Sequence, residues 1–381
     1  METLRVAENV TEQEISVYDE YGLFNVYIVS TLFSIIAFLG LTGNAMVFIA
    51  VGLSRKLHDI TNTFIVNLSI CDFLACTILP FHVVSVISGR WPLADWYCSF
   101  IASLTIIIHT SGTMTLALIS LNRYMLITKP RKLYMKVYTH HNVAWMIAMT
   151  WLFPFFFLLM PQFFLGGLGY RQKFRVCIWN SEHKLALIFQ GIGALAFILS
   201  TVIIIFSYIS IFCFVRKHMQ KMTHNNSVKD AIDFVDDESS VSNYKNSSIK
   251  SHRSTKRRKI SKKQLDITKN LCLVVVAFFI CVLPYTIHLP TGIYDMRGTY
   301  LGVLFVSHTG ISPILYAAKH PHFKNIFSCM FRCKYSDIPM PTMGLKKILN
   351  LSSQRVNSIN DGRLRGPSVS SRTNINIINL K

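Results

Sequence analysis

Charge is scarce in this chain, and negative charge scarcest of all. Only 15% of its 381 residues are Asp, Glu, Lys or Arg, and 19 acids stand against 39 bases. Chemistry is scarce too. No nucleophile stands with a base at a useful spacing, no paired metal ligands recur, and no glycine-rich phosphate loop is present, which excludes the common enzyme classes. The amino terminus lacks the basic stretch and short apolar core of a cleavable signal; residues 1–24 carry six acids and a single Arg5. The first apolar block is therefore expected to direct membrane insertion itself. Inverted repeats and interrupted spans are not visible, which weakens a transporter or channel reading. Intramembrane Asp72, Arg123 and several histidines keep that reading open as the rival, because ionisable groups at such depth also mark ion paths.

What the chain has is apolar residues, 51% of the total. They come in seven blocks: Tyr27 to Val51, Phe64 to Ser88, Phe100 to Asn122, Val143 to Leu165, Leu185 to Val215, Leu271 to Leu289 and Tyr300 to Ala318. Each is near the ~20 residues with which a helix crosses ~30 Å of hydrocarbon. Lipid offers the backbone no hydrogen bonds, and barrel strands are shorter and alternate in polarity, so the blocks must be helices. The expected fold is all-α: a seven-transmembrane helix bundle over residues 25–318, with a short amphipathic eighth helix over residues 319–334.

The formal net charge of +20 would suit nucleic acid in a soluble protein, but its placement points elsewhere. Lys and Arg gather at Arg55-Lys56, Lys129 to Lys136, Arg216 to Lys263 and beyond Lys319. The positive-inside rule puts these segments in the cytoplasm and residues 1–24 outside. The run "KRRKISKK", Lys256 to Lys263, directly before a span, is read as meeting anionic lipid and partners. Asn9, in the sequon Asn9-Val10-Thr11, is then the glycosylation candidate on the outer side. Of nine cysteines only Cys98 and Cys177 fall at outer ends or loops, and oxidising conditions there make them the natural disulfide. Residues 216–263 are polar and Ser/Asn/Lys-rich and are expected to be a largely disordered loop with the ends of the flanking helices extending into it, and the basic tail over 335–381 is expected to be disordered too. Phe323, Ile326, Phe327, Met330 and Phe331 recur at helical spacing against Lys and Arg, the pattern of a helix lying on the inner membrane surface. On it, Cys329 and Cys333 are either palmitoylation sites or unmodified thiols.

A set of short motifs, one in nearly every span, carries a resemblance. These are Gly43-Asn44, "NLSICD" from Asn67 to Asp72, "WPLADWYC" from Trp91 to Cys98, "NRY" from Asn122 to Tyr124, Trp151 and Pro161. Tyr208, "FFICVLP" from Phe278 to Pro284, and "SPILY" from Ser312 to Tyr316 complete it. In order and spacing, over about residues 25 to 333, the chain resembles rhodopsin-like (class A) G-protein-coupled receptors. "NRYMLITKP" and "PILYAAKHPHFK" are most similar to the melatonin-receptor-like group and an invertebrate orphan branch that includes moody and trapped-in-endoderm. Four positions depart from the family pattern: Asn122 for the acid before Arg, Ser200 for the fifth-span Pro, Val282 for the Trp of C-W-x-P, and Ser312 for the Asn of N-P-x-x-Y.

The resemblance implies roles. Asn122, Arg123, Tyr124, Tyr208, Phe278, Pro284, Ser312, Pro313 and Tyr316 would form the switch that opens toward a heterotrimeric G protein. Pro284 supplies a hinge, and Val282 leaves space that Phe278 and other aromatics fill. With neutral Asn122 beside it, and Gln264 where a sixth-span acid often lies, Arg123 should be held loosely, implying raised basal activity. An Arg that merely snorkels into head groups is the plainer alternative. Asp72 would bind an allosteric sodium ion with Asn44, Ser111, Thr309 and Ser312, or else be a hydrogen-bonded structural carboxyl; Gly112 and His308 tell against the ion. No other cofactor is implied. The ligand wall is expected from Thr105, Ile106, His109, Gln162, Phe197, Tyr285, His288 and His82. Thr105 stands where amine receptors of this class carry Asp, so the expected ligand is a neutral or weakly acidic amphiphile, a lipid or a peptide. Arg171, Lys173 and Arg175 would steer an anion toward that pocket or merely form a solvated loop. Serines and Thr373 of the tail would serve a receptor kinase and arrestin.

Overall fold

The computed structural model describes residues 22–160, 168–171, 175–179, 186–236, 262–288 and 296–350. Among these, seven helices are long and apolar enough to cross a membrane. The first three spans are α1 (Leu23–Leu53), α2 (Ile60–Ser88) and α3 (Asp95–Thr128). A loop helix, α4 (Arg131–Val137), precedes the fourth span, α5 (His140–Pro154), which runs on through a π-turn at Phe155–Leu159. Spans five to seven lie in α6 (Ala186–Asp236), α7 (Lys262–His288) and α8 (Met296–Lys319), and α9 (Pro321–Phe331) follows them.

Local chemistry sets the helix ends. Asp59 Oδ1 accepts the Asn62 N–H at 2.7 Å, satisfying an otherwise orphaned donor at the start of α2. Thr139 does the same for α5 through the Asn142 N–H at 3.2 Å. Gly89, at φ 64, ends α2 in the left-handed conformation that only glycine adopts cheaply. Prolines 80, 154, 284 and 313 lie inside α2, α5, α7 and α8. Each removes one ladder hydrogen bond, and after Pro154 the backbone recovers by widening into the π-turn. With Ser200 in place of the usual proline, α6 is unbroken throughout its 51 residues.

Between helices in lipid, close approach and polar bonds replace the hydrophobic effect. Gly40 and Gly43 let α1 lie against Cys76 of α2 and Pro313 of α8. Asn67 joins three spans: its amide donates to Thr115 at 2.8 Å and Thr150 at 3.4 Å, and its carbonyl accepts the Trp151 indole at 3.0 Å. The cytoplasmic half is closed by one apolar cluster running from Leu57 and Phe64 through Val274 and Phe278 to Phe323 and Leu345.

Residues 216–236 continue α6 to Asp236, in line with the expected extension of the flanking helices into the loop. One segment departs from expectation. Residues 335–350, expected to be disordered tail, fold back instead. Ile338 and Leu345 are buried, residues 343–350 are helical, and the segment bonds to the inner end of α1. Within α9, Phe323, Ile326 and Phe327 are buried as the periodicity predicts, whereas Phe331 is 71% exposed.

Candidate functional site

Polar and aromatic side chains form a column through the bundle. At its outer end a hairpin, β1 (Leu168–Arg171) with β2 (Val176–Trp179), is tied to α3 by the Cys98–Cys177 disulfide. Ser99 Oγ donates to the Leu168 carbonyl at 3.2 Å. Arg175, expected in a basic steering loop, is wholly buried. Its Nη1 donates to the Val86 carbonyl at 2.7 Å and its own carbonyl accepts from Ser85 Oγ at 2.9 Å. A cation bonded to the last carbonyls of α2 complements the helix dipole; Arg175 fastens the hairpin to the bundle and is not a steering charge. The side chains of Arg171 and Lys173 lie outside the described residues.

Below the hairpin, Thr105, Ile106, His109, Phe197, Tyr285 and His288 are half-buried in spans three, five and six. Thr105 donates to the Ile101 carbonyl at 2.8 Å. The residue that joins the wall together is Phe305, which the sequence reading missed. Its ring lies 4.7 Å from His109, 5.1 Å from Tyr285 and 5.9 Å from His308. Phe278 meets His308 edge-on at 5.1 Å. The expectation that Phe278 and neighbouring aromatics fill the space around Val282 thus gains its missing partners from the seventh span. A phenylalanine in an apolar block gives no sign of its neighbours, so only the fold reveals it. His82 lies against Phe33 of α1, 6.2 Å between ring centres, and is close enough to His109 to act on it electrostatically. Gln162 lies outside the described residues.

At mid-depth, Asp72 is buried with His308 Nε2 3.9 Å from Oδ1 and with Ser312 as a hydrogen-bond partner. The other residues of the implied sodium set make hydrogen bonds of their own. Ser111 Oγ donates to Thr150 at 3.2 Å, so it faces the fourth span and not Asp72. Thr309 Oγ1 donates to the Val306 carbonyl at 2.8 Å and accepts from Cys76. Asn44 Nδ2 donates to the Gly40 and Thr309 carbonyls at 2.9 and 3.1 Å. Gly112 has no hydroxyl. What remains is the Asp72 carboxylate, Ser312 Oγ and Asn44 Oδ1, the last, like Asp72 Oδ2, without a hydrogen-bond partner among the described residues. A hard cation takes about six oxygens in a closed shell. These three protein groups supply part of such a shell, which is incomplete without water.

At the inner end Arg123 is 2% exposed, sealed within the cytoplasmic half. Its electrostatic neighbours are Asp59, Tyr208 and Tyr134. Asn122 is not turned to it. Asn122 Oδ1 accepts from Thr61 at 2.7 Å and Nδ2 donates to the Tyr134 hydroxyl at 3.2 Å, stapling α3 to α2 and to the loop helix α4. The expectation that Asn122 directly holds Arg123 is thereby corrected, and Asp59 is the acid whose field reaches the guanidinium. Asp59 looks in sequence like an ordinary cap, which it also is. In α4, outside the membrane, burial raises the Tyr134 pKa, while the Asn122 bond and Arg123 oppose the shift. Tyr124 packs on Phe206 of α6 at 5.4 Å, with Lys129 Nζ 5.3 Å from its ring centre. The buried Tyr316 lies 5.8 Å from the Phe323 ring, joining α8 to α9. At that junction burial, aided by Arg123 and His322, pushes His320 down to about 3. Its neutral Nδ1 accepts the Phe323 N–H that opens α9, at 3.5 Å. Cys329 is partly buried while Cys333 is exposed. Asn9 and the Gln264 side chain lie outside the described residues.

A seven-helix bundle with a hairpin tied over its outer end, a polar middle and a sealed inner arginine has the build of a membrane receptor. The chain belongs to the 7 transmembrane receptor (rhodopsin) family, which it matches over residues 43–318; it is a multi-pass signalling protein of that family and not an enzyme. It is similar to the histamine H2 receptor of Canis lupus familiaris, 26% identical over 323 residues covering 80% of each chain. It is also similar to the 5-hydroxytryptamine receptor 1B of Homo sapiens, 26% identical over 343 residues, 80% of this chain and 85% of that one. Squid rhodopsin shares the fold, with a TM-score of 0.63 at 20% identity, covering 84% of this chain and 89% of that chain.

Proposed function

We propose that this receptor sits in the plasma membrane with its amino terminus outside, takes a non-amine ligand between spans three, five, six and seven, and activates a heterotrimeric G protein. The observation that carries the ligand reading is Thr105, whose hydroxyl is spent on the Ile101 carbonyl and offers an ammonium no countercharge. The relatives named for histamine and 5-hydroxytryptamine therefore do not lend this chain their ligands. Around Thr105, the rings of His109, Tyr285 and Phe305 suit a neutral or weakly acidic amphiphile. Motifs at the inner end favour the melatonin-receptor-like or moody and trapped-in-endoderm-like branch. A receptor kinase and arrestin are the expected partners of the tail, Asn9 the glycan site, and exposed Cys333 a better palmitoylation site than Cys329.

The reading is tested with purified receptor, without ligand, against a panel of G proteins. Accelerated nucleotide exchange on at least one supports it; ion flux through the reconstituted protein with no exchange on any G protein would sink it in favour of a channel or transporter. A receptor-like chain that has lost coupling would show neither activity, even with ligand bound.

Basal exchange should be appreciable, because no acid adjoins Arg123 in sequence. Asn122→Asp keeps the geometry, since Thr61 and Tyr134 can both donate to a carboxylate, and adds a charge beside Arg123. Exchange without ligand should fall by about fivefold at equal surface expression, the yield of ~1 kcal/mol from through-space attraction between the new carboxylate and Arg123 rather than from a direct bond. An unchanged basal rate removes the idea.

At Asp72, His308 and Ser312 take the place of a sodium site. The melting temperature of the purified receptor should be the same in sodium and in potassium chloride at equal ionic strength. A rise specific to sodium, lost in Asp72→Asn, would overturn this.

A further inference from the structure

We infer that residues 331–350 form a second membrane anchor, which binds anionic phospholipid head groups of the inner leaflet. The inference rests on the orientation proposed above and not on signalling. The segment after α9 is held at the inner end of the first span. The Thr342 N–H donates to the Leu53 carbonyl at 3.0 Å, Thr342 Oγ1 to the Gly52 carbonyl at 2.8 Å, and the Arg55 N–H to the Met340 carbonyl at 2.9 Å. Ser54 Oγ donates to the Pro339 carbonyl, and Ile338 and Leu345 are buried beneath the strap. Gly52 and Leu53 are the last residues of α1. A strap bonded to them lies at head-group depth and cannot hang free in the cytoplasm.

What the strap leaves uncovered has the composition of a lipid-facing element. Phe331, Met340, Met343 and Ile348 are 71%, 63%, 66% and 63% exposed. Large apolar side chains so exposed, outside the spanning segments, are costly in water and stable at an acyl-chain boundary. Among them stand Arg332, Lys334, Lys346 and Lys347, all exposed, and Asp337 is the one acid between residues 319 and 350. Cations at that depth are drawn to the negative inner leaflet. Exposed Cys333 lies at the start of the same stretch. Helix α9 buries its own apolar stripe against the bundle, so much of the amphipathic character expected of it is carried by the strap that follows.

The test uses full-length receptor in nanodiscs doped with a photoactivatable phosphatidylserine or phosphatidylcholine, with adducts located by peptide mapping. The phosphatidylserine probe should label residues 340–350 about fivefold more than the phosphatidylcholine probe, and Lys346→Glu with Lys347→Glu should abolish the difference. Equal labelling by both probes, or adducts confined to the spans and α9, overturns the proposal. Slow amide exchange at Thr342 in the double variant verifies that the strap remains folded; where it does not, the two probes on the unaltered chain decide. Both leaflets of a nanodisc carry the same probe, so a wrong orientation or a failure to couple would not alter the result.

Discussion

Arg123→Ala should reduce receptor-catalysed nucleotide exchange by about thirtyfold or more without lowering the melting temperature. An arginine that anchors an interface contributes ~2 kcal/mol or more, which is that factor in rate or affinity. The unchanged stability is the less obvious half. In the closed bundle Arg123 is 2% exposed, and burying a guanidinium is expensive even with Asp59 and two tyrosines near it. Removing it takes away that cost along with the attraction, and an alanine at mid-helix costs nothing in propensity. On the function proposed above, the closed state stores an arginine whose use lies in the open state, where α6 and α7 would part and a groove would form for a helix of the G protein. If Arg123 only snorkels toward lipid, exchange by Arg123→Ala will match that of the unaltered chain. A fall in exchange accompanied by a fall of many degrees in melting temperature would mark Arg123 as structural.

The second large effect concerns the first span. Gly43→Ala should lower the melting temperature by about 10 °C, whereas Gly52→Ala, nine residues on in the same helix, should leave it unchanged or raise it slightly. A Cβ on Gly43 would lie 2.6 and 2.9 Å from Cγ and Cβ of Pro313, a ring that cannot rotate away. Spans one and seven must then separate, which breaks the bond from Asn44 to the Thr309 carbonyl next to the clash. Overpacking of this kind costs ~1–3 kcal/mol, and the lost bond about 1 more. Gly52 has nothing within 4 Å of its Cβ position, so alanine there brings only its better helix propensity, ~1 kcal/mol. Equal behaviour of the two variants would mean that Pro313 does not set the spacing of these helices.

The two glycines also mark how much the sequence could say. Both lie in α1, and the apolar pattern alone does not show that one is pressed on a proline and the other faces open space. The same limit applies to the polar residues. That Asp72 and Arg123 would be buried followed from their depth in apolar blocks. Which groups they face did not follow: Ser111 turns to the fourth span, Asn122 to Thr61 and Tyr134, and the acid whose field reaches Arg123 is the helix cap Asp59. Arg175 misled for the opposite reason, because a cation in a loop looks solvated until the fold sets it against the carbonyl end of a helix.

The sequence alone determined the seven helices, their direction through the membrane expected from basic loops, and the Cys98–Cys177 pair, because each is dictated by one physical constraint acting along the chain: hydrogen bonds unavailable in lipid, charge asymmetry, and redox compartment. The tertiary structure decided the contacts across the chain. It set Phe305 among the rings of His109, Tyr285 and His308, gave Asp72 the partner His308, turned Asn122 into a staple for the loop helix, and folded residues 335–350 onto the first span. Those depend on which face each helix presents to its neighbours, and in spans apolar on every side no periodicity records that choice.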